Sequence, residues 1–170
     1  MENVSEIQQR AYDLGCRYES EYGCCSQCVL AALQDTLGKE KITDSVFLSA
    51  TGLGAGLAGA GYACGALTGG IMALSCFRGR ERSNFPEPEG SRFGSFRLAR
   101  KLVERFETEY GVSGGDCSAV QTALMGRSYD ILRGERDAFL AAGGHTTVCP
   151  PVCGKAAVWV IEILDEEGLL

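Results

Sequence analysis

The sequence predicts an all-α fold, a single-domain bundle of six or seven helices with a glycine-rich helix–loop–helix centre. Three observations predict it. Apolar residues recur three and four apart along most of the chain, and no stretch alternates with the period of two that a half-buried strand requires. The length, 170 residues, suffices for one core and is short for two, so one domain is expected over 1–170.

In chain order, Val4, Ile7, Ala11, Leu14, Tyr18 and Tyr22 form one apolar stripe on a first helix, which Gly23 ends. A second helix begins at the cysteine cluster and runs through "SQCVLAALQDTL" to Gly38, a good C-terminal stop. Thr43 or Asp44 can cap a third, "SVFLSATGLGAGL". Tyr62 to Arg78 reads as a fourth, entered just before Cys64. Two prolines in "SNFPEPEG" (83–90) break the chain. After them Phe96, Ala99, Val103, Phe106 and Tyr110 mark the face of a fifth helix, closed by "YGVSGG". Asp116 is placed to cap a short helix, "CSAVQTALMG", whereas 127–148 is polar and glycine-containing and reads as a helix fragment with a loop. The last helix follows "CPPVC", with Ala156, Ala157, Val160, Ile161 and Leu164 on its buried face.

Composition narrows the function. The net charge is −6 and the pI about 4.9. An acidic chain repels phosphate backbones, so no nucleic-acid partner is expected. The one short basic cluster, "RGRER" at 78–82, reads as a solvated helix end. The N-terminus lacks a charged-then-apolar leader pattern, which points to the cytoplasm, where disulfides are not the default fate of thiols. Nine cysteines cannot all pair within one chain, and in that compartment they indicate metal or redox chemistry. Residues 46–77 carry no charge, long enough to raise a membrane span. Their glycines, serines and threonines fit two short helices better, so no membrane partner is expected; a homodimer interface is an alternative use of such a segment.

The cysteines fall at telling places. Cys24 and Cys25 open the second helix, Cys64 the fourth, Cys117 follows a cap, and Cys149 precedes two prolines of the kind favoured in a first helical turn. Unpaired N–H groups and the positive dipole end stabilise anions there, so these thiols are expected to ionise readily, and thiolate is the metal-ligating form. Cys16 and Cys76 sit mid-helix and read as core residues, Cys28 as packed beside Val29 and Ala32, and Cys153 as one turn beyond Cys149. The spacing of Cys25 and Cys28 lacks the strand a thioredoxin-like site needs, and zinc fingers need two closely spaced pairs. His145, the only histidine, lies in "GGHTT" and is expected to face solvent. The stretch "GLGAGLAGAGYACGALTGG" at 52–70 lacks the Lys-Ser/Thr of a phosphate loop. Small residues at 54, 58 and 61, and again at 65 and 69, let helix backbones approach, and let an inorganic group rest against bare main chain near Gly61, Gly65 and Gly69.

These residues carry a resemblance. "CGALTGGIMAL" at 64–74, with Cys64, Gly65, Ala66 and Gly69 matching a Cys-Gly-Ala-x-x-Gly block, resembles the centre of the C-GCAxxG-C-C family of redox-active proteins. "CSQCVLAAL" is similar to the family's first cysteine region and places that cysteine at Cys25. The third falls on Cys117, and the fourth on Cys149 through the following Ala156 and Ala157. The chain departs from the pattern in five further cysteines and in the long stretch between the third and fourth sites. The resemblance implies a helical, redox-active protein related to the non-haem part of split-Soret cytochromes. It implies an iron–sulfur cluster on Cys25, Cys64, Cys117 and Cys149, with Gly61, Gly65, Ala66 and Gly69 beside it, and a redox protein as partner. Electron transfer or redox sensing is then the expected role. A metal-free thiol–disulfide oxidoreductase on the same cysteines, and a structural zinc or metal-free binding module, are the alternatives.

Overall fold

The computed structural model describes residues 3–87 and 89–170, so Pro88, second of the two linker prolines, lies outside the described residues. The chain folds into α1 (Val4–Glu21), α2 (Cys25–Leu37), α3 (Asp44–Ser49), a single turn α4 (Gly54–Leu57), α5 (Gly65–Arg78), α6 (Arg92–Tyr110), α7 (Cys117–Met125), α8 (Arg136–Ala141) and α9 (Cys149–Glu166). Wide turns with π-type hydrogen bonding, Ile131–Glu135 and Gly144–Val148, flank α8. Among the described residues there is no strand, only an isolated bridge between Ala63 and Asp116. The all-α bundle expected from the periodicity is the fold.

Local chemistry sets the helix ends. Asn3 and Glu6 form a reciprocal capping box at the start of α1. Gly23, at φ +70°, ends it, and the next residue, Cys24, takes the left-handed conformation as N-cap of α2. α9 is the central helix: Val152, Ala156, Val160, Ile161 and Ile163 are all buried, with α1, α2, α5 and α6 packed around it. Bare backbone makes the closest approaches possible. A Cβ on Gly15 of α1 would come within 3.0 Å of the Cys153 backbone in α9, and one on Gly69 of α5 would strike the Ser26 backbone in α2.

Several expectations are corrected. The third helix stops at Ser49 rather than continuing through the glycine run: Ala55, Gly56, Leu57, Ala58 and Gly59 are all left-handed, so the chain coils against the right-handed sense there. The uncharged stretch 46–77 is, as expected, divided between short helices, α3 and α5 with turns between them, and forms no single spanning helix. Among the described residues, the one helix long and apolar enough to cross a membrane, by length and composition alone, is the run Gly144–Glu166, whose apolar residues Val152, Val160, Ile161 and Leu164 are buried in the core. On α6 the buried stripe is Leu98, Leu102 and Phe106, whereas Phe96 is exposed, because the helix face toward α5 and α9 is rotated by about half a turn from Phe96. Tyr22 is exposed too, beyond the last buried turn of α1.

Candidate functional site

The bundle encloses a cavity of about 280 Å³. Cys25 at the start of α2, Cys64 as N-cap of α5, Cys117 at the start of α7 and Cys149 at the start of α9 all line it, together with Cys24 and Cys153. Four helix beginnings far apart in sequence thus present their cysteines to one space. Cys16, Cys28 and Cys76 are not among its lining: Cys16 and Cys76 are half-buried in their helices, and Cys28 is buried with its thiol donating to the Gly23 carbonyl at 2.8 Å.

The glycine run divides in two. Gly54, Ala55, Ala58 and Gly59 form the cavity wall. Gly61, Gly65, Ala66 and Gly69, expected beside a cofactor, lie behind it. The Gly61 carbonyl accepts the Ser118 N–H at the start of α7, a side chain at Gly65 would overlap the Cys25 sulfur, and Gly69 seats α5 on α2. Ala66 is buried, yet its N–H and that of Leu67 donate to the Cys64 sulfur. The left-handed turn does the same for the first cysteine, with the Ala55 N–H donating to Cys25.

The expectation that these thiols ionise readily is overturned. Burial pushes Cys64 up to about 12, with the neighbouring Cys117 adding to it, against the pull of the Ala66 and Leu67 N–H groups. Cys25, Cys117 and Cys149 are raised as well, in each case first by burial. Removal from water outweighs the helix-end N–H groups, so without a cation the four thiols are protonated at neutral pH.

Three polar residues that sequence reasoning missed complete the lining. Glu19, on the small-residue stripe Ala11, Gly15, Glu19 of α1, is only 1% exposed. Its Oε1 is hydrogen-bonded with His145 Nδ1 at 2.8 Å, and its Oε2 lies 3.6 Å from the Cys153 sulfur. His145 lines the cavity while its side chain stays 31% exposed, its ring edge-on to Phe139 with centroids 5.1 Å apart. Gln121, one turn after Cys117, donates to that sulfur at 3.4 Å and accepts the Tyr129 N–H. For Glu19 and Gln121 the spacing of four from Gly15 and Cys117 was the available signal, and for His145 there was none.

Among the described residues, no three histidine, cysteine or carboxylate side chains are gathered closely enough to hold a single metal ion. A tetrahedral zinc with bonds of about 2.3 Å to sulfur needs its sulfurs roughly 3.8 Å apart. A cluster, which gives each thiolate its own iron, accepts a wider ring of sulfurs.

Fold and site together define a class: an all-α protein whose helix N-termini present cysteines to a shared internal cavity. The family model described as "Putative redox-active protein (C_GCAxxG_C_C)" matches residues 23–163, and the chain belongs to that family. No curated protein and no solved structure matches the chain. Glu19 lies outside the matched residues.

Proposed function

We propose that Cys25, Cys64, Cys117 and Cys149 hold one iron–sulfur cluster in the cavity, and that the protein transfers electrons or senses redox state in partnership with another redox protein. The observation that carries this reading is the convergence of four soft donors, from four helix starts, on one largely apolar space. Such a cluster supplies a one-electron couple. The chain's own groups would tune it: N–H donors from Ala55, Ala66 and Leu67 reach two of the sulfurs and favour added negative charge, while the apolar wall excludes water.

Exchange of disulfides without metal is less well supported. Attack requires thiolate, and burial keeps these four thiols protonated. A metal cation, by contrast, displaces the proton as it binds.

The test is reconstitution with iron and sulfide without oxygen, followed by an absorption spectrum and assays of iron, sulfide and zinc. Broad sulfur-to-iron bands with matched iron and sulfide are expected, lost in Cys64→Ser and kept in Cys76→Ser. A colourless protein that takes up only zinc, or none, would sink the cluster.

A further inference from the structure

The short basic cluster at 78–82 and the linker that follows it line no part of the cavity. The cluster lies at the far end of α5 from Cys64, about 20 Å away along a helix of 14 residues. Three phenylalanines stand exposed around it: Phe85 at 55%, Phe93 at 58% and Phe96 at 60%. None belongs to the core or to the side chains packed against it.

They form one surface. Arg80 lies over the Phe85 ring at 4.3 Å and Arg92 over Phe93 at 4.9 Å, and Phe93 meets Phe96 edge to face with centroids 5.8 Å apart. The buried Glu87 carboxylate ties the two halves together, pairing with Arg92 at 2.8 Å and with Arg80 at 3.4 Å. It also accepts the Ser91 hydroxyl and the Arg92 N–H, each at 2.6 Å. Glu87 itself sits at φ +37°, a left-handed conformation that a residue with a Cβ adopts only at a cost. Phenyl groups held this firmly lose little freedom on being covered. Single exposed apolar residues are ordinary, but a contiguous pre-set patch marks a contact surface, and phenylalanine and arginine are types such surfaces favour.

The charges on the surface indicate what covers it. Arg78, packed against Gly94, Arg82, and Arg100, one turn beyond Phe96, are exposed, and so are Glu81 and Glu89. An anionic partner would meet the two glutamates, and a cationic one the arginines. A second copy of the same surface brings an apolar centre to the phenylalanines and both signs of charge around it, the self-complementarity that a two-fold contact requires. We propose that the protein pairs with a second copy of itself through Phe85, Phe93 and Phe96, with arginines of each copy set against Glu81 and Glu89 of the other. Three phenyl groups, each a little over half exposed, supply about 300 Å² of apolar area per copy, and the arginine stems extend it. That is the size of a functional patch and the low end for a dimer, so the association is reversible and in the micromolar range. It is independent of the proposed function and uses no residue of the cavity.

Sedimentation velocity of the 170-residue chain over a range of concentrations tests this, metal-free and after reconstitution. Salt of about 0.15 M screens the repulsion between two copies of charge −6. A monomer–dimer equilibrium is expected in both forms. Phe93→Ser and Phe96→Ser should each weaken it about tenfold without changing the melt of the dilute monomer. Leu48→Ser, at a 71% exposed position on α3, should leave the equilibrium unchanged. Glu81→Lys with Glu89→Lys, and Arg78→Glu with Arg82→Glu, should each weaken pairing between like copies, and an equimolar mixture of the two double variants should restore it. A chain that stays monomeric, a dimer indifferent to Phe93→Ser and Phe96→Ser, or a mixture that fails to recover would overturn the proposal. So would a monomer that attaches through Phe93 to vesicles of phosphatidylcholine and phosphatidylglycerol, which would assign the surface to lipid. A dimer formed by protein that takes up no iron would uphold the surface and sink only the cluster.

Discussion

At Cys64 two effects compete over one proton. Ala66 and Leu67 N–H groups favour the thiolate, burial favours the thiol, and burial prevails, moving the group from 9.0 to about 12. The linkage has a definite sign. Below pH 9 the thiol is neutral in both folded and unfolded chains, so its contribution to stability is fully present. Above pH 9 the unfolded chain gives up its proton first, and stability is lost progressively up to about pH 12. Cys25, Cys117 and Cys149 are shifted in the same direction and add to the effect. Urea midpoints of reduced, metal-free protein should therefore fall between about pH 8 and pH 10, and a rising midpoint would mean that the fold stabilises thiolates after all. Metal uptake should respond oppositely, strengthening as pH rises, because each bound sulfur must lose its proton.

Among the elements, the left-handed turn at 55–59 is the most unusual. Ala55, Leu57 and Ala58 adopt φ of +53°, +60° and +54°, a region that costs a residue with a Cβ roughly 1–2 kcal/mol. The turn brings the Ala55 N–H to Cys25 and forms the cavity wall, so the strain accompanies the site. Ala58→Gly should relieve it and raise stability by up to about 1 kcal/mol in a denaturant melt. Unchanged or lower stability would show that Ala58 is at ease there. Gly69 makes the opposite prediction. A Cβ there meets the Ser26 backbone, which cannot move aside as a side chain could, so Gly69→Val should cost about 3 kcal/mol and loosen α5 from α2. A variant as stable as the parent would contradict the close packing.

For the whole molecule, the cavity joins helices that are remote in sequence: α2, α5, α7 and α9 each begin at it. A group bound to all four links them in the folded state alone, so occupancy and stability are coupled. Reconstituted protein should melt well above the metal-free form, by about 2.7 kcal/mol of added stability when free ligand exceeds its dissociation constant a hundredfold. Cys64→Ser should abolish that increment and Cys76→Ser should preserve it; an equal increment in both would place the bound group elsewhere.

Much of this was legible in the residues. Spacings of three and four, the stops at Gly23 and Gly38, and the prolines after Cys149 are local signals, read from a few neighbouring positions, and they determined the all-α fold and the placing of cysteines at helix starts. The block at 64–69 determined the family. Tertiary structure alone decided which side chains face one another. Glu19 and His145 lie 126 positions apart, and nothing local in either stretch announces the other. The glycine run looked equally fit for helix packing and for a cofactor wall, and proves to be split between packing at Gly69 and cavity wall at Gly54 and Gly59. The thiol shifts went against the local expectation for the same reason. A helix N-terminus is a property of a few adjacent residues, whereas desolvation is set by everything the fold packs around the sulfur, and at these cysteines the larger effect is the one that only packing creates.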